Sequence, residues 1–246
     1  MQLENTIYRN HSMKYPVKFV SLGPGDAELM TLKSLRALNE ADIIIAPSTV
    51  NEQGNENSRA TNLIRTAGCS TPVETFVLPM SRKRDAAMAV YEQIYKRAKT
   101  LYNEEKRVAI AVEGDAGIYA SVHYVLEQME KENIQTEQLP GIPSFIAAGA
   151  LAHLHLISQS ERLVVAPGNM TVREIEDFVD NNYCVTVMKL KSNMMAIREC
   201  MNLHPEYEVH YFENVGTTDA FYTKDKESIK MRDIPYFSLA IIRKKE

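Results

Sequence analysis

The sequence predicts an α/β fold consisting of two α/β domains with mostly parallel sheets. From Val17 onward, short runs rich in β-branched residues alternate with longer segments of helical periodicity. This alternation is typical of parallel strands joined by helices. The 246 residues, 45% of them hydrophobic and 24% charged, are enough for one large domain or two small ones.

The strand candidates are short apolar runs bounded by turn residues. They are Val17–Leu22, Asp42–Ala46, Val73–Leu78, Arg107–Val112, Ile134–Leu139, Arg162–Ala166, Cys184–Leu190, Glu208–Asn214 and Tyr236–Arg243. Helices are indicated between them where apolar residues recur at spacings of three and four. One such stripe is formed by Leu29, Leu32, Leu35 and Leu38, and a second extends over residues 87–101. Both stripes predict helices that face a core.

A domain boundary is predicted near the middle of the chain. The segment Leu139–Ser144 contains two prolines and a glycine, which is typical of a crossing between domains. We therefore expect an N-terminal extension over residues 1–16, an N-terminal α/β domain over 17–139 and a C-terminal α/β domain over 140–246. The polar stretch Asn51–Ser58 is interpreted as an exposed loop.

Charge and cysteine content limit the classes of function. A net charge of −4 and a pI near 5.9 give no overall field that would attract nucleic acid or an anionic membrane. The three cysteines are scattered and odd in number, which favours reduced thiols over a disulfide framework. The N-terminal segment Met1–Lys14 is polar, and no apolar run is long enough to span a bilayer. We expect a cytoplasmic protein without nucleic-acid or membrane partners.

The sequence predicts no metal site. His153 and His155 flank Leu154, but no carboxylate or cysteine stands near them at the spacing of a metal site. The 12 methionines are dispersed, as is usual for core residues.

The first predicted strand runs into a turn that contains Gly23, Pro24 and Gly25. It does not match a dinucleotide fingerprint, because Glu28 replaces the third glycine and Pro24 lacks a backbone donor. The turn allows a ligand to approach the backbone closely and suits a non-phosphorylated ligand. Asp26 is interpreted as a helix cap or a turn residue rather than a catalytic acid.

Two further glycine-containing turns follow predicted strands later in the chain. The strand over residues 107–112 runs into Glu113-Gly114-Asp115, with Tyr119 four residues beyond the aspartate, and the third turn has the sequence Pro-Gly-Ile-Pro-Ser-Phe at 140–145. Together with Gly-Pro-Gly-Asp-Ala-Glu-Leu-Met-Thr at 23–31, they resemble the tetrapyrrole methylase family over nearly the whole chain after Val17. The motifs at 78–81, 165–168 and 187–189 are most like the branch that methylates C-20 of precorrin-2 or cobalt-factor II.

The resemblance implies the fold, the cofactor and the partners. It implies two α/β domains with the active site in the cleft between them, S-adenosylmethionine as cofactor, a tetrapyrrole substrate and a homodimer. Carried over by motif, the implied cofactor contacts are Pro24, Gly114, Asp115, Ile118, Pro143, Ser144, Met188, Val215 and Gly216. Two positions depart from the family pattern: Ala116 replaces a proline, and Pro143 replaces a threonine whose hydroxyl makes a contact.

The expected chemistry requires little acid–base machinery. Methyl transfer from a sulfonium is an in-line displacement that depends mainly on holding the two reacting carbons in place. The sequence does not single out a base that would remove the proton from C-20, so no catalytic residue is named. Because the substrate carries many carboxylates, Arg82, Lys83 and Arg84 are candidate substrate-binding residues, and a solvated helix start is the alternative interpretation.

Alternative functions remain open from the sequence. The same fold also serves methylases that act on another tetrapyrrole carbon, on ribosomal RNA or on a modified protein histidine. A catalytically silent cofactor-binding homologue would keep the turns without the substrate-binding cations. A nicotinamide-dependent oxidoreductase is a distant third, because Ala46-Pro47-Ser48 stands where an acidic residue would follow the second strand.

Overall fold

The structure is a computed structural model that describes residues 14–50, 56–79 and 84–244. The chain forms two compact units. The first comprises the described residues of Met1–Val20, Leu32–Val112 and Ser121–Leu139, and the second those of Ser21–Thr31, Glu113–Ala120 and Pro140–Glu246. The two glycine turns at 21–31 and 113–120 therefore belong to the second unit, although the strands that precede them lie in the first.

The first unit is built on a six-stranded sheet. Its elements are β1 (Val17–Ser21), α1 (Leu32–Glu40), β2 (Ile43–Val50), β3 (Glu56–Asn57), α2 (Arg59–Thr66), β4 (Val73–Val77), α3 (Arg84–Asn103), β5 (Val108–Val112), α4 (His123–Lys131) and β6 (Thr136–Leu139). The strand order is β3-β2-β5-β1-β6, and β4 also pairs with β2. The pairs β1–β6, β2–β4 and β2–β5 are parallel, whereas the short β3 is antiparallel to β2.

One predicted helical stripe lies only partly in the core. Leu38 in α1 is fully buried, but Leu32 is 79% exposed, and Leu29 lies in a short 3₁₀ turn before the helix. A strict spacing of three residues drifts by about 60° per step around a helix with 3.6 residues per turn, so four such leucines cannot share one face. The α3 stripe is buried at Ile94, Ala98 and Leu101, as predicted.

The second unit is built on a five-stranded sheet. Its elements are α5 (Ser144–Leu151), β7 (Arg162–Ala166), α6 (Val172–Asp180), β8 (Tyr183–Met188), α7 (Met194–Leu203), β9 (Tyr207–Glu213), β10 (Phe221–Thr223), α8 (Lys226–Met231) and β11 (Ser238–Lys244). The strand order is β10-β9-β11-β8-β7. The expectation of mostly parallel pairing holds for the first sheet, but this sheet is mixed. Only β7–β8 is parallel, because β11 lies between β8 and β9 and runs antiparallel to both.

Both faces of the second sheet are buried. On one face, Val185 and Val209 pack with Ile175 of α6 and Ile197 of α7. The opposite face carries the α5-side cluster, whose buried residues are Phe145, Ala148, Cys184, Phe212, Val215, Leu239 and Ile241. Burial on both faces explains why β8 and β11 are apolar at successive positions instead of alternating with polar residues.

All the predicted strands form, with ends shifted by a few residues. The sequence did not indicate β3 and β10, because two or three residues give too short a pattern to recognise. Within the predicted loop at 51–58, residues 51–55 lie outside the described part, Glu56–Asn57 form β3, and Ser58 caps α2 by accepting a hydrogen bond from the Thr61 N–H at 3.1 Å.

The three cysteines are free thiols inside the fold. Cys69, Cys184 and Cys200 are buried and form no disulfide, and burial raises the pKa of Cys184 and of Cys200 to about 11. Within the described ranges, no helix combines the length and apolar character needed to cross a membrane.

His204, which follows α7, lies between two carboxylates. Its Nε2 is 2.7 Å from Glu176 Oε1 and its Nδ1 is 3.0 Å from Glu206 Oε1. Hydrogen bonds to Glu176 and Glu206 raise the pKa of His204 above its usual value of 6.5. The protonated imidazole therefore stabilises the fold at a pH below the unfolded-state pKa, and this contribution is lost as the pH rises through the higher folded-state pKa.

We expect Glu176→Gln to lower the pKa of His204 in an NMR titration. The substitution should reduce the free energy of unfolding more at about pH 5.5 than at about pH 9, because only the lower pH keeps the imidazole charged. Urea denaturation at both pH values measures this difference. Glu227→Gln, which removes an ion pair to Lys230 instead of a histidine, is the matched control and should show no such pH dependence. An unchanged His204 pKa would contradict the prediction.

Candidate functional site

The first and second glycine turns are joined through their backbones. Gly23 N–H donates to Gly114 O at 3.1 Å, and Gly114 N–H donates to Gly23 O at 2.7 Å. Both glycines have left-handed backbones, with φ of +80° and +74°, a conformation that glycine adopts without steric cost. The turns that follow β1 and β5 are thereby held side by side within the second unit.

Ser21 adds a second connection between these turns. Its hydroxyl oxygen accepts a hydrogen bond from the Ala116 N–H at 2.9 Å, and its side chain is fully buried. Since a buried amide without a partner is costly, this bond satisfies a donor that the second turn would otherwise leave unpaired.

Asp115 ties the second turn to the third. Its Oδ1 accepts from the Gly117 N–H at 2.8 Å, and its Oδ2 accepts from the Gly141 N–H at 2.6 Å. Both oxygens of this one carboxylate thus hold backbone amides, and hydrogen bonds to a charged acceptor are stronger than neutral ones. Asp115 fixes the position of the turns, whatever else its remaining lone pairs contact.

Gly141 lies where the three turns meet. A Cβ atom at this position would stand 2.5 Å from Ser21 Cβ and 2.7 Å from Gly114 O. Both distances are far below van der Waals contact, and Gly114 O is a backbone atom that cannot rotate away. The glycine of the third turn is therefore required by close backbone approach.

A fourth segment, Val215–Gly216, packs against the first turn. Gly216 has φ +85°, and a Cβ there would lie 3.0 Å from the carbonyl carbon of Pro24 and 3.1 Å from Gly25 N. Val215 is buried in the α5-side cluster. The predicted contacts Pro24, Val215 and Gly216 are thus brought together.

Apolar predicted residues gather on the same cluster. Ile118 and Met188 are partly buried and pack against the α5-side cluster, to which Val215 belongs. Met188 ends β8, and the chain then turns at Lys189, whose φ is +52°. Gly168 lies beside this turn, since its Cβ would stand 3.3 Å from both Met188 O and Lys189 O.

The third turn leads into α5. Pro143 is the residue before the helix, with φ −71° and ψ 152°, and it makes no side-chain capping bond. Ser144 is the first helical residue. Because proline has no hydroxyl group, a side-chain contact of the kind a threonine makes cannot exist at position 143.

Asp26 has a structural role, and the predicted substrate-binding cations are described only in part. Asp26 Oδ1 accepts from the Glu28 N–H at 2.9 Å and caps the 3₁₀ turn, which confirms the interpretation as a cap. Arg82 and Lys83 lie outside the described residues, and Arg84 is known only as the first residue of α3 in the first unit. No group of three metal-ligating side chains occurs in the part of the chain that the structure describes.

Sequence reasoning missed the roles of Ser21 and Tyr119. The Tyr119 hydroxyl donates to Val165 O at 2.6 Å, which links the second turn to the end of β7, and Tyr119 adopts φ +50°. A bulky residue in the left-handed region is uncommon and marks a constrained position. The sequence shows this tyrosine in the second motif. It does not show the left-handed backbone of Tyr119 or its hydrogen bond to Val165 O.

Comparison with known proteins shows to which family the chain belongs. A model of the tetrapyrrole (corrin/porphyrin) methylases matches residues 16–228, which is most of the 246-residue chain. The chain belongs to this family. The match includes all four segments that converge in the second unit.

Two of the similar proteins are named as C(20)-methyltransferases. A probable cobalt-precorrin-2 C(20)-methyltransferase of Methanocaldococcus jannaschii is 27% identical over 173 residues, covering 70% of this chain and 71% of the relative. A precorrin-2 C(20)-methyltransferase of a Sinorhizobium species is 25% identical over 91% of this chain and 93% of its own length.

Solved structures share the fold. A cobalt precorrin-4 methyltransferase aligns with a TM-score of 0.71 at 15% identity, over 93% of this chain and 94% of that one. A uroporphyrin-III C-methyltransferase from Thermus thermophilus, complexed with S-adenyl homocysteine, aligns with a TM-score of 0.65 at 16% identity, over 93% and 92%. At these identities the likeness establishes the two-domain α/β fold of the tetrapyrrole methylases.

The candidate site offers backbone groups more than ionisable side chains. Its turns bring glycine backbones together, and the apolar side chains of Ile118 and Met188 pack on the α5-side cluster that also contains Val215. Such a surface suits a ligand with a flat apolar part and a few polar groups.

We expect Asp115→Asn to lower the free energy of unfolding by about 1–3 kcal/mol. An asparagine has one acceptor oxygen for two amide donors, so either Gly117 or Gly141 loses its partner. Asp26→Asn is the matched control, because asparagine caps a helical turn as well as aspartate does. Urea denaturation of the two variants measures the difference, and equal stabilities would show that Asp115 does not hold the turns together.

Proposed function

We propose that this protein is an S-adenosylmethionine-dependent methyltransferase that adds a methyl group to C-20 of precorrin-2 or cobalt-factor II in cobalamin biosynthesis. Membership of the tetrapyrrole methylases supports the reaction class, and the relatives named C(20)-methyltransferases support the position. The structural observation that carries the proposal is the convergence of four backbone segments beside one apolar cluster in the second unit.

The residues of these segments fit the cofactor chemically. Ile118 and Met188 offer aliphatic surface for an adenine ring. Gly114 has open space beside it, since a Cβ there would meet no atom within 4 Å, so a ligand can approach the backbone of the second turn. Backbone carbonyls and the Asp115 carboxylate give a polar, electron-rich environment for hydroxyl, amino and sulfonium groups without adding a cation.

The proposed cofactor-binding residues come from all four segments and the end of β8. They are Pro24, Gly114, Asp115, Ile118, Pro143, Ser144, Met188, Val215 and Gly216. Since Asp115 already accepts two backbone hydrogen bonds, any contact it makes with the cofactor uses the remaining lone pairs of its oxygens.

Bound S-adenosylmethionine would supply a methyl carbon already activated by the positive sulfur. The protein then has to hold this carbon in line with the nucleophilic carbon of the substrate, and such positioning can provide a large part of a rate enhancement. The two backbone bonds between Gly23 and Gly114, and the bond from the Gly141 N–H to the Asp115 carboxylate, fix the turns before any ligand arrives. Packing of Met188 and Ile118 on the apolar cluster keeps water from one side of the site.

Substrate carboxylates require cations, and we assign this role to Arg82, Lys83 and Arg84. Guanidinium groups bind carboxylates through two parallel hydrogen bonds. The proposal also includes a homodimer in the cytoplasm, as the family resemblance implies, and the reduced buried cysteines are compatible with a reducing compartment.

The decisive experiment is an anaerobic incubation with labelled S-adenosylmethionine and, separately, precorrin-2, cobalt-factor II and uroporphyrinogen III. Mass spectrometry and NMR then locate the added methyl group. Methylation at C-20 of either of the first two substrates is the expected result, and the preferred substrate shows whether cobalt is inserted beforehand. Label on another carbon would move the enzyme to another branch of the family, and cofactor binding without transfer would identify a silent homologue.

We expect Gly141→Ala to weaken binding of S-adenosylhomocysteine by about tenfold or more, because the added methyl group must displace Ser21 or the Gly114 carbonyl. Isothermal titration calorimetry measures the dissociation constant. Gly68→Ala is the matched control: it follows α2 in the first unit, where a Cβ meets no atom within 4 Å although φ is +80°. Equal affinities in the two variants would argue against a cofactor site at the junction of the turns.

A further inference from the structure

Tyr119, near the end of the second turn, has a strained backbone. Its φ is +50°, in the left-handed region that bulky residues rarely adopt. The residue is 42% exposed, so burial in a core does not by itself explain why this conformation is kept. Strain of this kind persists where other contacts fix the residue, and it is frequent at binding sites.

The hydroxyl of Tyr119 makes a contact that fixes it. The hydroxyl donates a hydrogen bond to the carbonyl oxygen of Val165 at 2.6 Å, at the short end of the usual range for such bonds. Val165 is the penultimate residue of β7, and β7 is the last strand in the order of the second sheet. The bond therefore ties the second turn to the carboxyl end of a strand in the same unit.

The second turn is thus held at its start and at its end. At its start, Gly114 exchanges two backbone hydrogen bonds with Gly23. At its end, Tyr119 is bonded to Val165. Ile118, an apolar residue of the candidate site, directly precedes Tyr119 in the chain, so the bond of the tyrosine hydroxyl restricts where Ile118 can lie.

The bond to Val165 also relates the second turn to the end of β8. Val165 is paired with Thr186 in the parallel ladder of β7 and β8, and Met188 ends β8 two residues later. Ile118 and Met188 each pack on the α5-side cluster. One hydrogen bond and one pair of strands therefore connect the backbone beside Ile118 to the backbone at Met188.

We propose that Tyr119 is a positioning residue for the adenine end of S-adenosylmethionine. This inference rests on the proposed function, in which Ile118 and Met188 offer the aliphatic surface for the adenine ring. The hydroxyl bond to Val165 holds Ile118 in place relative to Met188 before the cofactor binds. Tyr119 acts through Ile118 and takes no part in the transfer of the methyl group.

A pocket that is formed in advance affects binding more than the chemical step. If the turn adopts the conformation that binds the cofactor only part of the time, the apparent dissociation constant rises by the inverse of that fraction. Once the cofactor is bound, the pocket is formed and the methyl carbon lies where it does in wild type. Removal of the hydroxyl should therefore raise KM for the cofactor and leave kcat unchanged.

The test compares wild type with Tyr119→Phe, which keeps the ring and removes only the hydroxyl. We expect the dissociation constant of S-adenosylhomocysteine, measured by calorimetry, to rise about fivefold, the effect of losing one hydrogen bond between neutral groups. Adenosine, which lacks the sulfur and the amino-acid part, should lose affinity by the same factor. In the methylation assay, KM for S-adenosylmethionine should rise about fivefold, while kcat and KM for the tetrapyrrole stay within about twofold.

Tyr183→Phe is the matched control. Tyr183 begins β8, and its hydroxyl accepts a hydrogen bond from Arg162 Nη1 at 3.3 Å, at the end of the β7–β8 pair opposite to Met188. The variant loses a bond to the same strand, and its affinities for S-adenosylhomocysteine and adenosine should stay within about twofold of wild type. An equal loss of affinity in both tyrosine variants would overturn the positioning role, because it would reflect the general stability of the sheet.

Tyr119→Asn provides a second variant, which also serves if the phenylalanine variant does not fold. Asparagine adopts the left-handed backbone more readily than tyrosine does, but its side chain is too short to replace the phenol at Val165 O. We expect the asparagine variant to be at least as stable as the phenylalanine variant and to bind S-adenosylhomocysteine about fivefold or more weakly than wild type. Wild-type affinity in Tyr119→Asn would overturn the proposal.

The outcomes separate this inference from the proposed function. If wild type binds no S-adenosylhomocysteine, the proposed function fails, and this inference fails with it. If wild type binds it and methylates C-20, but Tyr119→Phe keeps the dissociation constant within about twofold, the positioning role alone is overturned. A fall in kcat at unchanged KM would also overturn it, because Tyr119 would then act on the chemical step.

Discussion

The carboxylate of Asp115 is the interaction on which the geometry of the candidate site depends. Its two oxygens accept amide hydrogens from Gly117 in its own turn and from Gly141 in the third. The paired amides of Gly23 and Gly114 bring the first turn into the same arrangement. These bonds bring the turns so close together that there is no room for a Cβ atom at Gly141. A site built in this way presents backbone to its ligand and leaves specificity to a few neighbouring side chains.

The sheet of the second unit supplies those neighbours. It is buried on both faces, so each strand contributes one set of side chains to a structural core and the other to the face that carries the α5-side cluster. On β9, Phe212 packs in that cluster while Tyr211 packs on the opposite face with α6 and α7. Polar residues on the cluster side require partners because the surroundings are apolar. The His210 Nδ1 atom and the Tyr222 hydroxyl are hydrogen-bonded to each other at 2.8 Å, which satisfies one of the two ring nitrogens of this buried histidine.

Much of this could be predicted from the sequence, and the errors have physical causes. The strands of both units are recognisable because buried β-strands are short, apolar and bounded by turn residues. The glycines of the first two turns are recognisable because only glycine adopts their backbone conformations easily. The leucine stripe of α1 was partly wrong because its spacing does not match the helical repeat. The antiparallel pairing in the second sheet could not be predicted. The local sequence pattern of a strand does not show that β11 inserts between β8 and β9.

The sequence by itself determined the class of fold, the strand positions, the three glycine motifs and the family that they resemble, since these depend on the local preferences of neighbouring residues. Only the tertiary structure decided that Asp115 holds amides 2 and 26 residues further along the chain, and that Ser21 pairs with Ala116 across 95 residues. It also decided that Glu208, His210 and Tyr222 meet across β9 and β10. Contacts between distant residues depend on how the chain packs as a whole, and that packing leaves no periodic signal in the sequence.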